Sequence, residues 1–271
     1  MKVVLVTGTT SGFGHLIAGR LHALGHRVYG TCLPDFDGGG DRSAHPLLEL
    51  DVTRDDSVER CVGEVMSREG RIDVLVNNAG VSIAGALEDT ALDEAHFQME
   101  VNFFGPLRMI RAVMPLMRAR GSGRILTVGS MAGHVGLPYQ PIYCAAKHAL
   151  EGVNEAFRLE LAGSGIDASI ICPGDFNTGL TAARVYVRNA RSAVHAAQID
   201  ITMGIAERDE RDGPGPGRVA DLVVRLVDAP RLKVRYFVGS PGQRGSIFLK
   251  RLLPASLFER MVRSAYRIPS R

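Results

Sequence analysis

Eight residues, Thr7-Gly8-Thr9-Thr10-Ser11-Gly12-Phe13-Gly14, constrain the fold more than any others in this 271-residue chain. They join a continuous apolar run, Val3–Thr7, to residues 12–24, where Phe13, Leu16, Ile17, Leu21 and Leu24 recur at helical spacing. An unbroken apolar run is expected of a strand buried on both faces. A glycine cluster alone says little, but between a strand and a helix it is the arrangement that cradles a dinucleotide. Gly8 permits a tight turn, Gly12 lets backbone approach a pyrophosphate, and Gly14 allows close packing of the helix. The free N–H groups and the dipole of the helix start favour phosphate charge.

The same alternation continues along the chain. Arg27–Thr31, Leu47–Leu50, Asp73–Val76, Arg124–Val128 and Asp167–Ile171 read as further strands, and 234–238 as a last one. Helical patterns cover 55–68, 93–119, 142–162 and 218–228, with Pro106 and Pro115 placed to bend or divide the second of these. Alternating strands and helices predict an α/β fold: a single-domain, Rossmann-like, doubly wound parallel sheet with helices on both faces. The single domain spans 1–271. It includes a mobile substrate-side insertion at about 176–217, ending in Gly213-Pro214-Gly215-Pro216-Gly217, and a basic amphipathic tail at about 246–271.

Composition narrows the class further. Apolar residues make up 45% and charged residues 23%, so a folded core is expected and disorder of the whole chain is not. No apolar run reaches the length of a membrane span, and the N-terminus lacks signal-peptide features. A cytoplasmic location is the resulting expectation. Cys32, Cys61, Cys144 and Cys172 form neither a CxxC pair nor a zinc-ligand pattern, so buried thiols and no metal are expected. Net charge is +3, yet residues 231–271 carry +9 and the remainder −6. No nucleic-acid recognition motif accompanies this asymmetry, so nucleic acid is not an expected partner.

Two other segments carry chemistry. Asn77-Asn78-Ala79-Gly80 follows a buried strand, where small residues suit either a ligand in the crevice or an Asn-containing turn. Tyr143 and Lys147 are four apart, hence on one helix face, and Ser130 ends the fifth strand. A phenol is a poor proton carrier at neutral pH, and a nearby ammonium is expected to lower its pKa.

With these residues assembled, the chain resembles the short-chain dehydrogenase/reductases, in the branch with a T-G-x-x-x-G-x-G loop. Thr7 to Gly14 match the cofactor loop, with Gly8, Thr10, Ser11, Gly12, Phe13 and Gly14 as contacts. Asn78, Ala79 and Gly80 match the N-N-A-G element, and Asp51-Val52 the pair that contacts adenine. Pro173, Gly174, Phe176 and Thr178 match the segment near the nicotinamide. Asn102, Ser130, Tyr143 and Lys147 match the catalytic tetrad. Val28–Leu33 and Tyr143–Gly152 are similar to hydroxysteroid and retinol dehydrogenases.

The resemblance implies reversible hydride transfer between a nicotinamide and an alcohol or carbonyl. Tyr143 would move the proton, Lys147 tune it and hold the ribose, Ser130 position the substrate oxygen, and Asn102 hold a water. It also implies a homodimer or homotetramer through 93–119 and 142–162. Cys32 and Leu33 stand where an acid would select NAD or an Arg NADP. Asp35 could serve late, and the absence of positive charge favours NAD over NADP. His134, Leu137, Phe176 and Leu180, with Ser130 and Tyr143, are candidates for the substrate wall, whose apolar character points to a steroid, retinoid or long-chain substrate. The basic tail could touch an anionic membrane peripherally, cover the pocket or pack on a partner subunit. The competing class is a catalytically silent nucleotide-sensing regulator; epimerases and dehydratases on related folds have different glycine spacing.

Overall fold

The computed structural model describes residues 1–36, 44–178, 183–190, 192 and 194–269. Seven parallel strands form the central sheet: β1 (Val3–Val6), β2 (Arg27–Cys32), β3 (Leu47–Glu49), β4 (Val74–Asn77), β6 (Gly123–Val128), β7 (Ile166–Pro173) and β9 (Arg235–Val238). Their order is β3-β2-β1-β4-β6-β7-β9, all in parallel register. The doubly wound sheet expected from the alternation is therefore present. Its direction of growth reverses between β1 and β4, and the loops leaving those two strands diverge to open a crevice.

Both sheet faces are covered because β1 and β4 point successive side chains to opposite sides. Val3, Leu5 and Leu75 enter a core with Val58 and Val65 of α2 (Asp55–Glu69) and Met109, Val113 and Met117 of α4 (Gly105–Arg120). Val4, Val6, Val74 and Val76 enter the opposite core with Ile17 and Leu21 of α1 (Gly12–Ala23) and Val219, Val223 and Val227 of α7 (Gly217–Asp228).

Three expectations gain detail here. The helix expected over 93–119 is α3 (Leu92–Met99), a π-helical segment at Glu100–Phe104, and α4. Neither proline breaks it; Pro106 is the second residue of α4, after the π-helical segment, and Pro115 lies inside α4. The insertion is not loose in its described part. Val185–Tyr186 forms β8, which pairs in parallel with β5 (Ile83–Ala84), and Ile199, Met203 and Ala206 of α6 (Ala196–Arg211) pack on Ile83 and Val187. The tail is two helices, α8 (Pro241–Leu252) and α9 (Ala255–Ala265), parted at Leu253-Pro254. Ile247 and Phe258 bury themselves against Met131 and Val135, anchoring both helices to the body.

Candidate active site

The glycine loop is braced from β4. Gly8 and Gly12 have φ of +68° and +59°, a backbone region that side chains rarely adopt. A Cβ on Gly14 would overlap the Gly8 carbonyl oxygen and come within 2.5 Å of Asn78 Nδ2. Asn78 Nδ2 donates to the carbonyls of Thr7 and Gly8 at 2.9 and 2.8 Å. Thr7 Oγ1 accepts from the backbone N–H of Asn78 and of Ala79, each at 2.9 Å. The two motifs thus form one unit: Asn78 shapes the loop, and the loop presents its backbone to the crevice.

A cavity of about 630 Å³ runs from this loop to the helix that carries Tyr143 and Lys147. Gly8, Thr10, Ser11, Gly12 and Phe13 line it, as do Asp51, Val52, Asn78, Ala79 and Gly80. Pro173, Gly174, Phe176 and Thr178 line its opposite side, where Phe13 and Phe176 meet edge to face at 5.6 Å. Thr31, Cys32, Leu33, Pro34 and Asp35 close the β2 end. The crevice, the positive-φ glycines and the helix start of α1 fit the pyrophosphate and nucleoside of a dinucleotide.

Ser130, Tyr143, Lys147 and Asn102 also border the cavity. Tyr143 and Lys147 share a face of α5 (Pro141–Glu160), with Lys147 Nζ 5.7 Å from the Tyr143 ring centre. Lys147 Nζ is buried and donates to the Val128 carbonyl at 3.1 Å. Burial pushes its pKa down to about 8. The lowered phenol pKa expected from the sequence is not what the site produces. Burial pushes Tyr143 up to about 12, outweighing its hydrogen bond with Ser130, because desolvation penalises the phenolate. Asn102 lies in the π-helical segment, and both its amide atoms engage Val81: Oδ1 accepts the N–H at 2.8 Å and Nδ2 donates to the carbonyl at 2.7 Å. Its side chain ties the helix to the loop after β4.

Among the substrate-wall candidates, Leu137 and Phe176 border the cavity, and Leu180 lies outside the described residues. His134 is corrected. It points away, its Nε2 3.0 Å from Glu151, its ring edge to face with Phe237. Cys172 Sγ donates to the same carboxylate at 2.9 Å and Arg235 holds the other oxygen at 2.9 Å. His134, Glu151 and Cys172 thus converge within metal-ligand range, a cluster that spacing did not reveal, but the Arg235 cation already compensates the carboxylate.

The sequence reading missed Ser82, Asp175, Glu210 and Tyr266 on the cavity wall. Only Asp175 had a signal, being next to Pro173-Gly174. Glu210 lies in a charged run that reads as solvated surface, and Tyr266 reaches the wall only because α8 and α9 fold back over the body.

A family profile described as short chain dehydrogenase matches residues 2–188. The chain is 36% identical over 98% of its length to a 3-ketodihydrosphingosine reductase of Bacteroides thetaiotaomicron, covering 98% of that protein. It is 33% identical to human 17-beta-hydroxysteroid dehydrogenase type 1 over 87% of this chain and 76% of that one. A short-chain dehydrogenase from Streptomyces avermitilis superposes with a TM-score of 0.80 at 31% identity, covering 97% of this chain and 99% of that one. The chain belongs to the short-chain dehydrogenase family and is an NAD(P)-dependent oxidoreductase. A bound nicotinamide would supply or take the hydride. Tyr143 is held neutral by burial and hydrogen-bonded to Ser130, with Lys147 on the same helix face.

Proposed function

We propose that this enzyme reduces the ketone of a long-chain lipid, of the 3-keto sphingoid base type, with NAD(H) preferred over NADP(H). The observation that carries the reading is the cavity wall. Leu137, Val81, Phe97, Ala183 and Ala206 give apolar lining to the cavity that Tyr143 borders. The end-to-end relative that reduces 3-ketodihydrosphingosine supports the same substrate class. Support for NAD(H) comes from the β2 end: the described residues there, Thr31–Asp35 and Asp51–Thr53, include no Lys or Arg to hold a ribose phosphate. Loss of reduced-nicotinamide absorbance tests this with long-chain 3-keto bases, 3-keto steroids and retinal, each with both cofactors. Turnover confined to steroid or retinal would overturn the lipid reading, and faster turnover with NADPH the cofactor reading.

A peripheral membrane contact belongs to the same proposal. No described helix is long and apolar enough to cross a membrane. On α8 and α9, however, Phe248 and Leu252 are 64% and 65% exposed, and Leu257 and Met261 stand out beside them. Lys250, Arg251, Arg260 and Arg263 lie on the same two helices. Exposed apolar side chains set among cations suit an anionic lipid surface. Deleting the tail would also remove the buried Ile247 and Phe258, so Phe248→Ser with Leu252→Ser is the cleaner probe. That variant is expected to lose sedimentation with phosphatidylserine vesicles while keeping its thermal midpoint; unchanged sedimentation would remove the membrane contact. A homodimer or homotetramer through α4 and α5 completes the proposal, Phe104 just before α4 and Leu159 on α5 being exposed.

A further inference from the structure

The cavity holds a charged corner that none of the family motifs contains. Pairing of β5 with β8 creates it: Val185 N–H donates to the Ser82 carbonyl at 3.0 Å, which sets Arg184 against the cavity wall. The Arg184 side chain is only 1% exposed. Its Nη2 donates to Glu210 at 2.5 Å and its Nε to Ser82 Oγ at 3.4 Å. Nη1 is buried with no hydrogen-bond partner; Glu207 lies 3.8 Å away, beyond hydrogen-bond reach. A buried donor left without an acceptor is costly, so its retention on a cavity wall points to a ligand.

The second half of the corner is anionic. Asp175 follows Pro173-Gly174 and accepts from Gln243 Nε2 of α8 at 2.5 Å. Burial first, then the neighbouring Glu210, pushes its carboxyl up to about 6. Asp175 and Glu210 thus face a single guanidinium, and the corner carries more negative than positive charge. Both Glu210 and Arg184 are close enough to act electrostatically on the Tyr143 phenol. A complementary ligand brings a cation for the carboxylates and an acceptor oxygen for Nη1, both within a few bonds of the reacting carbonyl.

We propose that Asp175 and Glu210 hold a substrate ammonium and that Arg184 Nη1 donates to a hydroxyl oxygen on the adjacent carbon, so that this corner selects a vicinal amino-alcohol head. The inference rests on the carbonyl-reduction reading above and specifies which end of the lipid lies beside Tyr143. An anionic head, a carboxylate or phosphate, would satisfy Arg184 but be repelled by two carboxylates, and it is the alternative that the test excludes.

The full-length chain is assayed with reduced nicotinamide on a medium-chain 2-amino-1-hydroxy-3-ketone and on the same ketone without amine and hydroxyl. Wild type is expected to favour the first by about 10- to 100-fold in kcat/KM, the worth of charge-assisted hydrogen bonds. Asp175→Asn and Glu210→Gln, each checked for an unchanged thermal midpoint, are expected to collapse that ratio towards one. A wild-type ratio near one, a ratio unmoved in both variants, or preference for a matched keto acid overturns the assignment. Should neither ketone be reduced, the substrate reading of the preceding section fails on its own. Calorimetric binding of a medium-chain 2-amino-1-alcohol to the cofactor-loaded enzyme then decides the corner: binding lost in Asp175→Asn upholds it, and no binding to wild type overturns it.

Discussion

Replacing Tyr143 by phenylalanine is expected to lower kcat about 10²- to 10⁴-fold, the usual contribution of a positioned general acid. The ring is retained, so the packing of α5 and the cavity shape persist. Only the hydroxyl, hydrogen-bonded to Ser130, is removed. Cofactor affinity, read by quenching or calorimetry, should be unchanged. The pH profile supplies an independent readout. Tyr143, pushed up to about 12, stays protonated throughout the working range, whereas Lys147, pushed down to about 8 by burial, does not. The ammonium is the form present below that value, so reductive kcat/KM should be level at neutral pH and fall above about pH 8. Retained turnover in the phenylalanine variant would take the proton transfer away from Tyr143. A level profile well past pH 8 would take the charge requirement away from Lys147.

Gly14→Ala should be among the most damaging single methyl additions at the site. Its Cβ would meet the Gly8 carbonyl oxygen, and Asn78 Nδ2 at 2.5 Å, both parts of the brace that shapes the dinucleotide loop. Neither atom is the free end of a flexible side chain, so the start of α1 or the loop must move. Overpacking of this kind costs about 1–3 kcal/mol in unfolding free energy. Displacing the loop amides should also weaken cofactor binding by about tenfold or more, since about 1.4 kcal/mol is a factor of ten. Gly19→Ala on the same helix is the control. Nothing lies within 4 Å of its added Cβ, and alanine should stabilise the helix by about 0.5–1 kcal/mol. Denaturant unfolding compares the two, and a Gly14→Ala protein with wild-type stability and cofactor affinity would refute the bracing role of Asn78.

Most of the sheet was legible because buried parallel strands read as unbroken apolar runs, Val3–Val6 and Val74–Val76 above all, separated by helices with one apolar stripe. The glycine loop and the Ser130, Tyr143 and Lys147 set were legible because local geometry dictates their residue types: a positive φ demands glycine, and one helix face demands a spacing of four. His134 was misplaced for the complementary reason. Its neighbours Glu151 and Cys172 come from α5 and β7, and only their convergence turns the ring away from the cavity. Tyr143 was misjudged in direction, since the sign of its shift depends on how much water the surrounding elements exclude, which spacing does not encode.

Periodicity, turn chemistry and helix-face spacing are local properties, and from them came the doubly wound sheet and the glycine-lined crevice at its switch point, while the roles expected of Ser130, Tyr143 and Lys147 came from the family resemblance. The wall that meets the substrate is set by contacts between distant segments. Arg184 reaches the cavity through a two-residue strand beside Ile83–Ala84, Glu210 through α6, and Tyr266 through two tail helices folded back on the body. Charges in a polar run and a tyrosine near a chain end carry no sign of burial until tertiary packing desolvates them, so substrate choice in this chain is a property of its folded form.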